Sequence, residues 1–416
     1  MSIVYFRATS LLVSAVLAPL FSLQAAALTL DQALVLAERE APSLAAQAAG
    51  VQAARHAAEP AGELPDPKLL LGVQNLPIGG EDRWRLNAEP MTMGMLGVMQ
   101  EVPSRAKRRA RVEAAEAGVL SAAAQERVER LRVRRQTALA WIAARAVEQK
   151  LGLFKDIYGE NELLANAVRA SIASGRGQAA DSVAPRQEAA LLAEAEDQLL
   201  QSRAQQRAAL RRWIGPRADE ALSGRLPHWP VNAAHYQHNL QRHPELALFE
   251  PMTEAAQAEA RQAVADKQSD WSWELAYQKR DRAFGDMVSL QLSVDLPLFP
   301  GSRQNPRIAA KQAALSQLHA ERAAAEREHA QQLADDLAEY QRYERALRRS
   351  QDLLLPLAEE KVALTLAGYR AGGGELASVI VARRELIEAR LKHIDYEEAL
   401  ALSSARLHFA FEGVGQ

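Results

Sequence analysis

Two short turns decide the reading of this chain: Ser174-Gly175-Arg176-Gly177 and Ala371-Gly372-Gly373-Gly374. Each lies between a very long helical arm and a returning one. The first arm pair runs from about Arg105 to Ile214, the second from about Arg303 to Phe411. Neither long arm holds an ordinary helix stop; from Arg303 to Gly368 the only proline after the opening is Pro356. At 1.5 Å per residue, ~65 residues make a rod of ~100 Å. Such a rod is several times the width of an ordinary domain, so the function is expected to lie in its reach.

The seams of the rods follow a coiled-coil rhythm. Leu333, Tyr340, Leu347 and Leu354 recur every seven residues, with Leu337 between them. On the return arm Ile380, Ile387 and Ile394 keep the same step, joined by Leu376 and Leu391. In the first arm pair Ile142, Leu153, Ile157, Leu164, Val168 and Ile172 lie at multiples of three or four. Apolar stripes of this period bury one face of each helix against a neighbour. Abundant alanine between them favours the helix and allows close packing. The stripes alone leave a filamentous or adaptor coiled coil open.

Composition narrows the class. In 416 residues the formal charge is −2, so nucleic acid is not an obvious partner. There is no cysteine, which excludes disulfides, thiolate metal sites and a lipidated N-terminal cysteine. Residues 1–27 read as a signal peptide: Arg7, an apolar run from Leu11 to Leu23, then Ala25-Ala26-Ala27 as a small-residue cleavage site. After it no run of ~18 apolar residues could span a membrane as a helix.

The chain in order shows one design used twice. Thr29-Leu30-Asp31-Gln32 opens an amphipathic helix as a capping box. That helix is expected to run to about Ala58, bent at Pro42. Leu64-Pro65-Asp66-Pro67 stops it; Lys68 to Leu76 and Met95 to Val102 read as strands around a polar loop. In the second half Pro244 takes the place of Pro42. Trp271, Trp273, Leu275 and Tyr277 alternate with Ser272, Glu274, Ala276 and Gln278. Val288, Leu290, Leu292, Val294 and Leu296 alternate with Ser289, Gln291, Ser293 and Asp295, ending at Pro297 as the earlier strand ends at Pro103. Period-two alternation marks strands with one apolar face. The division is a first repeat over 28–215, a Gly- and Pro-rich equatorial linker over 216–235, and a second repeat over 236–416.

Strands of ~10 residues with one apolar face and interfacial aromatics suit a membrane β-barrel. Four strands cannot close a barrel, and an open edge does not persist in lipid. Several copies must therefore share one barrel: two give eight strands with a filled interior, and three give twelve with room for a lumen.

The residues then reach a resemblance that covers nearly the whole mature chain. Its carriers are Leu30-Asp31-Gln32-Ala33-Leu34, Leu64-Pro65-Asp66-Pro67, Met91-Thr92-Met93 ahead of Gln100-Glu101-Val102-Pro103, Ala367-Gly368-Tyr369, and Asp181 after the first glycine turn. The chain resembles the TolC-like outer-membrane efflux proteins, in the branch serving heavy-metal efflux. The resemblance implies a mainly α fold with a small membrane β part, a duplicated strand pair plus helical hairpin completed by trimerisation. It implies a passive duct in the bacterial outer membrane, reaching into the periplasm, and a homotrimer in contact with outer-membrane lipid. Its partners would be a periplasmic adaptor (membrane fusion protein) and a proton-driven resistance-nodulation-division transporter. Gly175, Gly177, Asp181, Gly372, Gly373 and Gly374 would form the adaptor-docking tip. Two departures stand out. The family's acidic ring positions are Ser378 and Val381 here and its tip arginine is Gly374, so Asp181 lacks that partner. Pro185 fits the first turn of a helix capped by Ser182, which makes the first tip turn the longer one.

Sites with chemistry are few. Met91, Met93, Met95 and Met99 are thioethers of the kind that suits Cu(I), although an apolar loop or strand end on the outer face is the commoner use. His235, His238 and His243 lie near the joint of the halves; His235 and His238 could share a helix face and bind a metal, although a solvated equatorial helix is the commoner arrangement. Arg105 to Arg111 form a basic run just below the strands. No nucleophile–base constellation or phosphate loop is present, so no enzyme and no cofactor are expected. A drug-efflux or type I secretion duct is the alternative within the class; a soluble periplasmic coiled-coil adaptor is the alternative outside it. An adaptor would show one hairpin between small β domains, whereas two hairpins and two matched strand pairs are present.

Overall fold

The computed structural model describes residues 27–86, 89–175 and 177–411. The expected signal peptide, residues 1–27, lies outside them but for its last residue. Helices α1 (Leu30–Glu40) and α2 (Pro42–Ala58) lead to strands β1 (Lys68–Gln74) and β2 (Met93–Val102). The first hairpin follows as α3 (Arg105–Ala173), 69 residues long, and α4 (Ala184–Ile214). The second repeat has α5 (Ala233–His238), α6 (Pro244–Ala247), α7 (Phe249–Ala265), β3 (Trp271–Lys279) and β4 (Met287–Val294). Its hairpin is α8 (Gln304–Arg349), α9 (Leu355–Arg370) and α10 (Leu376–Ala410). The fold is thus mainly helical with one small sheet.

Local chemistry explains the boundaries. Thr29 caps α1, its hydroxyl accepting the Gln32 N–H while the Gln32 side chain accepts the Thr29 N–H. Pro42 breaks the first helix rather than bending it. Ala41 is extended, at φ −64° and ψ 117°, because the ring of a following proline crowds the helical conformation. Both Pro42 and Pro244 occupy a first helical turn, where no N–H is missed. The second long arm is continuous but not regular. A π turn over Ser350–Leu354 precedes Pro356, absorbing the lost N–H and the bulk of the ring. Strand β1 stops at Gln74, short of Leu76, where Asn75 takes φ 55°; β2 begins at Met93, two residues before expectation.

The two strand pairs form one antiparallel sheet in the order β1-β2-β3-β4. The joint between repeats is the β2–β3 ladder, with Gly97 opposite Ala276. A side chain at Gly97 would meet the Ala276 Cβ at 3.0 Å and the Leu275 carbonyl at 3.1 Å, so glycine lets the halves approach. β1 and β4 each have a single partner strand among the described residues.

The main core lies at the equator. Leu28, Leu34, Trp141, Ile142, Leu210, Ile214, Ala405 and Phe409 pack together where α1, α3, α4 and α10 meet. The chain start is tied there: Leu28 exchanges backbone bonds with Ala221 and Ser223, and the Trp141 indole donates to its carbonyl. A second cluster, Leu333, Leu337, Tyr340, Leu400, Leu407 and Phe411 with Tyr236, fills the corresponding place of the other repeat. The seam residues Leu333, Leu337, Tyr340, Ile142, Ile157, Leu164 and Val168 are buried. Leu354 is exposed, and the return arm buries Val379, Ala382 and Leu386 where Ile380 and Ile387 are only half-buried. α10 touches α3 as well as α8 and α9, so its buried stripe is set by more than one partner.

Candidate channel surfaces

The sheet has two chemically distinct faces. One carries Leu69, Leu71 and Val73 of β1, Leu96 and Val98 of β2, Leu275 and Tyr277 of β3, and Val288, Leu290, Leu292 and Val294 of β4, all exposed. The register lines them up across the strands: Leu71 faces Leu96, Leu96 faces Tyr277, and Tyr277 faces Val288. An apolar patch of this size calls for lipid or protein against it. The opposite face presents Gln74, Glu274, Gln278, Ser289, Gln291 and Ser293. Gln278 donates to Ser289 across it at 2.8 Å.

Met93, Met95 and Met99 are on that polar face, in the same alternation as Gln278 and Glu274. The paired register, not the apolarity of methionine, assigns them to this face. The Met95 sulfur accepts from the Gln74 amide at 3.2 Å. Met91 precedes the strand, exposed, with its carbonyl accepting from Asn75. Met287 joins the set in its stead: Met95 lies opposite Gln278 and Gln278 opposite Met287. Only pairing across the repeats brings Met287 to this row.

Below the sheet the basic run resolves into one anchor. Lys107 is buried and its ammonium binds Asp270 at 2.8 Å, while the Ser104 N–H donates to the other Asp270 oxygen at 2.9 Å. Ser104 caps α3 and Asp270 immediately precedes β3, so this contact fixes the first long helix to the strands of the second repeat. Burial pushes the Asp270 carboxyl up, but the bonds from Lys107 and Ser104 outweigh it and hold it below the usual range.

The tip turns are built alike. Gly175 and Gly372 take φ +74° and +79°, the left-handed conformation that closes a helix. Gly177 donates to the Ser171 carbonyl and Gly374 to the Gly368 carbonyl, both at 3.1 Å. A Cβ on Gly374 would meet the Tyr369 nitrogen at 2.8 Å, whereas Gly373 has open space. The first turn is the longer, spanning 174–183 against 371–375. Pro185 is in the first turn of α4 as expected, but Ser182 is not its cap: the Ser182 hydroxyl bonds Ala179, and α4 starts from Val183 without a side-chain cap. Asp181 accepts the Gln178 N–H at 2.9 Å and so shapes its own turn. Above the tip the two hairpins are joined by ion pairs, Arg384 with buried Glu188 at 2.8 Å and Arg383 with Glu160 at 3.1 Å.

His235 and His238 lie on a short, largely solvated helix and keep local partners. His238 bonds the Ala234 carbonyl and His235 lies beside the Asn239 amide, so the structure does not aim them at a common point. His243 is buried instead beside His329 of α8, ring centroids 4.3 Å apart. Burial, with His329 and Arg135 adding to it, pushes His243 down to about 3, so the ring is neutral near pH 7. His329 has one legible signal: it occupies the seam, four residues before Leu333.

The comparisons with known proteins agree with this geometry. A family model described as "Outer membrane efflux protein" matches residues 235–411, which is most of the second repeat. No curated protein matches the chain by sequence. Solved structures match its fold. A membrane protein from Pseudomonas aeruginosa has TM-score 0.78 at 16% identity, with 92% of each chain covered. The outer membrane protein VceC from Vibrio cholerae has TM-score 0.74 at 19% identity, covering 92% of this chain and 95% of its own. The MtrE outer membrane channel of Neisseria gonorrhoeae, in its open state, has TM-score 0.74 at 18% identity, covering 92% and 88%. The second repeat thus matches the outer membrane efflux protein family. The whole described chain shares its fold with bacterial outer-membrane channels.

Proposed function

We propose that the chain is the outer-membrane export duct of a tripartite efflux pump, three copies closing one twelve-stranded barrel above a tunnel of paired helical hairpins. The observation that carries this reading is the four-stranded sheet with its exposed apolar face and its two outer strands, set on a helix 69 residues long. Closure between chains removes the edges that lipid would not tolerate. The exposed apolar run Leu353, Leu354, Leu357 and Leu364 on the second long arm offers a neighbouring copy a surface to cover. The tip glycines, with Asp181, face a periplasmic adaptor, and a proton-driven transporter supplies the work. The duct itself is passive.

Heavy-metal cations are the proposed cargo. The sequence resemblance to the metal branch supports this, and so do the thioethers of Met93, Met95, Met99 and Met287 on the polar, lumen-facing side of the sheet.

The barrel assignment is tested by two neighbouring substitutions. Leu292→Arg places a charge on the lipid face, at about 2–4 kcal/mol near mid-bilayer in each copy. Gln291→Arg places the same charge in the lumen. Heat-modifiable trimers extracted from outer membranes are expected to disappear for Leu292→Arg and persist for Gln291→Arg. Equal yields from the two variants would remove the assignment of faces, and with it the barrel.

A further inference from the structure

We propose that His243, Glu245 and His329 form a binding site for a divalent transition-metal ion of the zinc type, at the equator of the second repeat and away from the sheet. One ligand atom from each of the three residues lies within 4.8 Å of the other two. The His329 Nε2 is 3.3 Å from a Glu245 carboxylate oxygen. Ligands at about 2.0–2.1 Å from a tetrahedral zinc stand about 3.3–3.4 Å from each other, so this pair already has the required spacing. A His243 ring nitrogen lies within 4.8 Å of both.

Two imidazoles and one carboxylate are a donor set suited to zinc, and to cobalt or nickel after it. The surroundings fit as well. The other Glu245 oxygen faces the Arg135 guanidinium at 3.7 Å, which orients the carboxylate and leaves its second oxygen turned to His329. His243 gives up only a long bond, 3.3 Å, from the Glu245 N–H to its Nδ1. A cavity of about 330 Å³ adjoins the three residues, lined also by Gln136, Gln332 and Asp336. It has room for a water as fourth ligand, with polar groups to hold it.

The ligands come from two segments far apart along the chain. His243 and Glu245 belong to the turn opening α6, and His329 to the long helix α8. An ion there would clamp the equatorial turn to the rod. The inference does not depend on the cargo being a metal, since the site lies at the equator rather than on the sheet.

The test uses the full mature protein, purified in detergent without a histidine tag and stripped with a chelator. Zinc is titrated calorimetrically and cobalt by visible absorption. We expect one ion per chain, with the intense cobalt bands of a tetrahedral or five-coordinate site. His329→Gln and Glu245→Gln should each weaken binding by at least about tenfold while trimer yield and helicity stay normal. The double variant His235→Gln, His238→Gln should bind as the parent does. Zinc binding that is absent from the parent, unchanged in His329→Gln and Glu245→Gln, or lost in the His235, His238 variant would overturn the proposal.

Discussion

At the scale of single residues, one half-buried ion pair fixes the junction between the sheet and the first long helix. Asp270 holds the Lys107 ammonium and the Ser104 N–H together, so its carboxylate is better stabilised folded than unfolded. A carboxyl depressed on folding contributes stability above its unfolded value near 3.8, and loses it as the pH falls through its lower folded value. Asp270→Asn should therefore cost about 1–3 kcal/mol at pH 7, the worth of charge-assisted hydrogen bonds. The cost should shrink as the pH drops below about 4, since the parent then loses the same charge. Trimer melting followed from pH 7 to pH 3 checks this; a cost independent of pH would assign the effect to packing. Neither partner announces itself in the sequence. Lys107 is one of several cations in a run, and the register of β3 is what sets Asp270 beneath it.

At the scale of elements, the glycine turns separate fold from docking. Gly372 needs its positive φ and Gly374 has no room for a side chain, because the Tyr369 and Gly368 backbone lies against it. Gly373 has neither constraint. Gly374→Val should disturb the closure of the second hairpin, at about 1–3 kcal/mol for forced overpacking. Gly373→Val should leave trimer yield and melting unchanged. If this surface meets the adaptor, Gly373→Val nevertheless lowers efflux and cross-linking to the adaptor; normal efflux would make the turn a mere connection. The turns were readable as glycine runs, yet which glycine does what was not. That depends on how the departing helix lies over the last turn of the arriving one.

At the scale of the whole molecule, the sheet decides what the proposed lumen would offer to cargo. Cross-strand pairing puts Met93, Met95, Met99 and Met287 on one face with Gln278 and Glu274, spread along the wall with Gln278 between Met95 and Met287 rather than gathered into a chelate. Dispersed weak ligands suit passage, since tight sites slow release. Changing all four to Leu keeps bulk and apolarity, so trimer levels should hold. In a strain dependent on this duct, copper resistance should fall while zinc and cobalt resistance remain. A uniform response across the metals would leave the thioethers with a packing role only. Sensitivity of a deletion strain to copper, silver, zinc, cobalt and cadmium, set beside sensitivity to organic drugs, tests the metal cargo itself.

Periodicity and punctuation in the sequence determined the duplicated plan. The seven-residue stripes marked the arms, the alternation from Val288 marked the strand, which stops at Val294 rather than Leu296, and Pro42, Pro103 and Pro244 marked breaks. These are properties of neighbours along the chain, and local sterics and hydrogen bonding express them wherever the segment lies. Tertiary structure alone decided the rest. The pairing of β2 with β3 through Gly97 and Ala276 joined the repeats and assigned the methionines to the polar face. The approach of α6 to α8 brought His329 to His243, a pairing that sequence spacing does not show. The crowding of α10 between α3 and the second arm moved its buried stripe away from Ile380 and Ile387. Each of these depends on residues far apart in sequence sharing one place. Their mutual distance is set by packing, which no local pattern encodes.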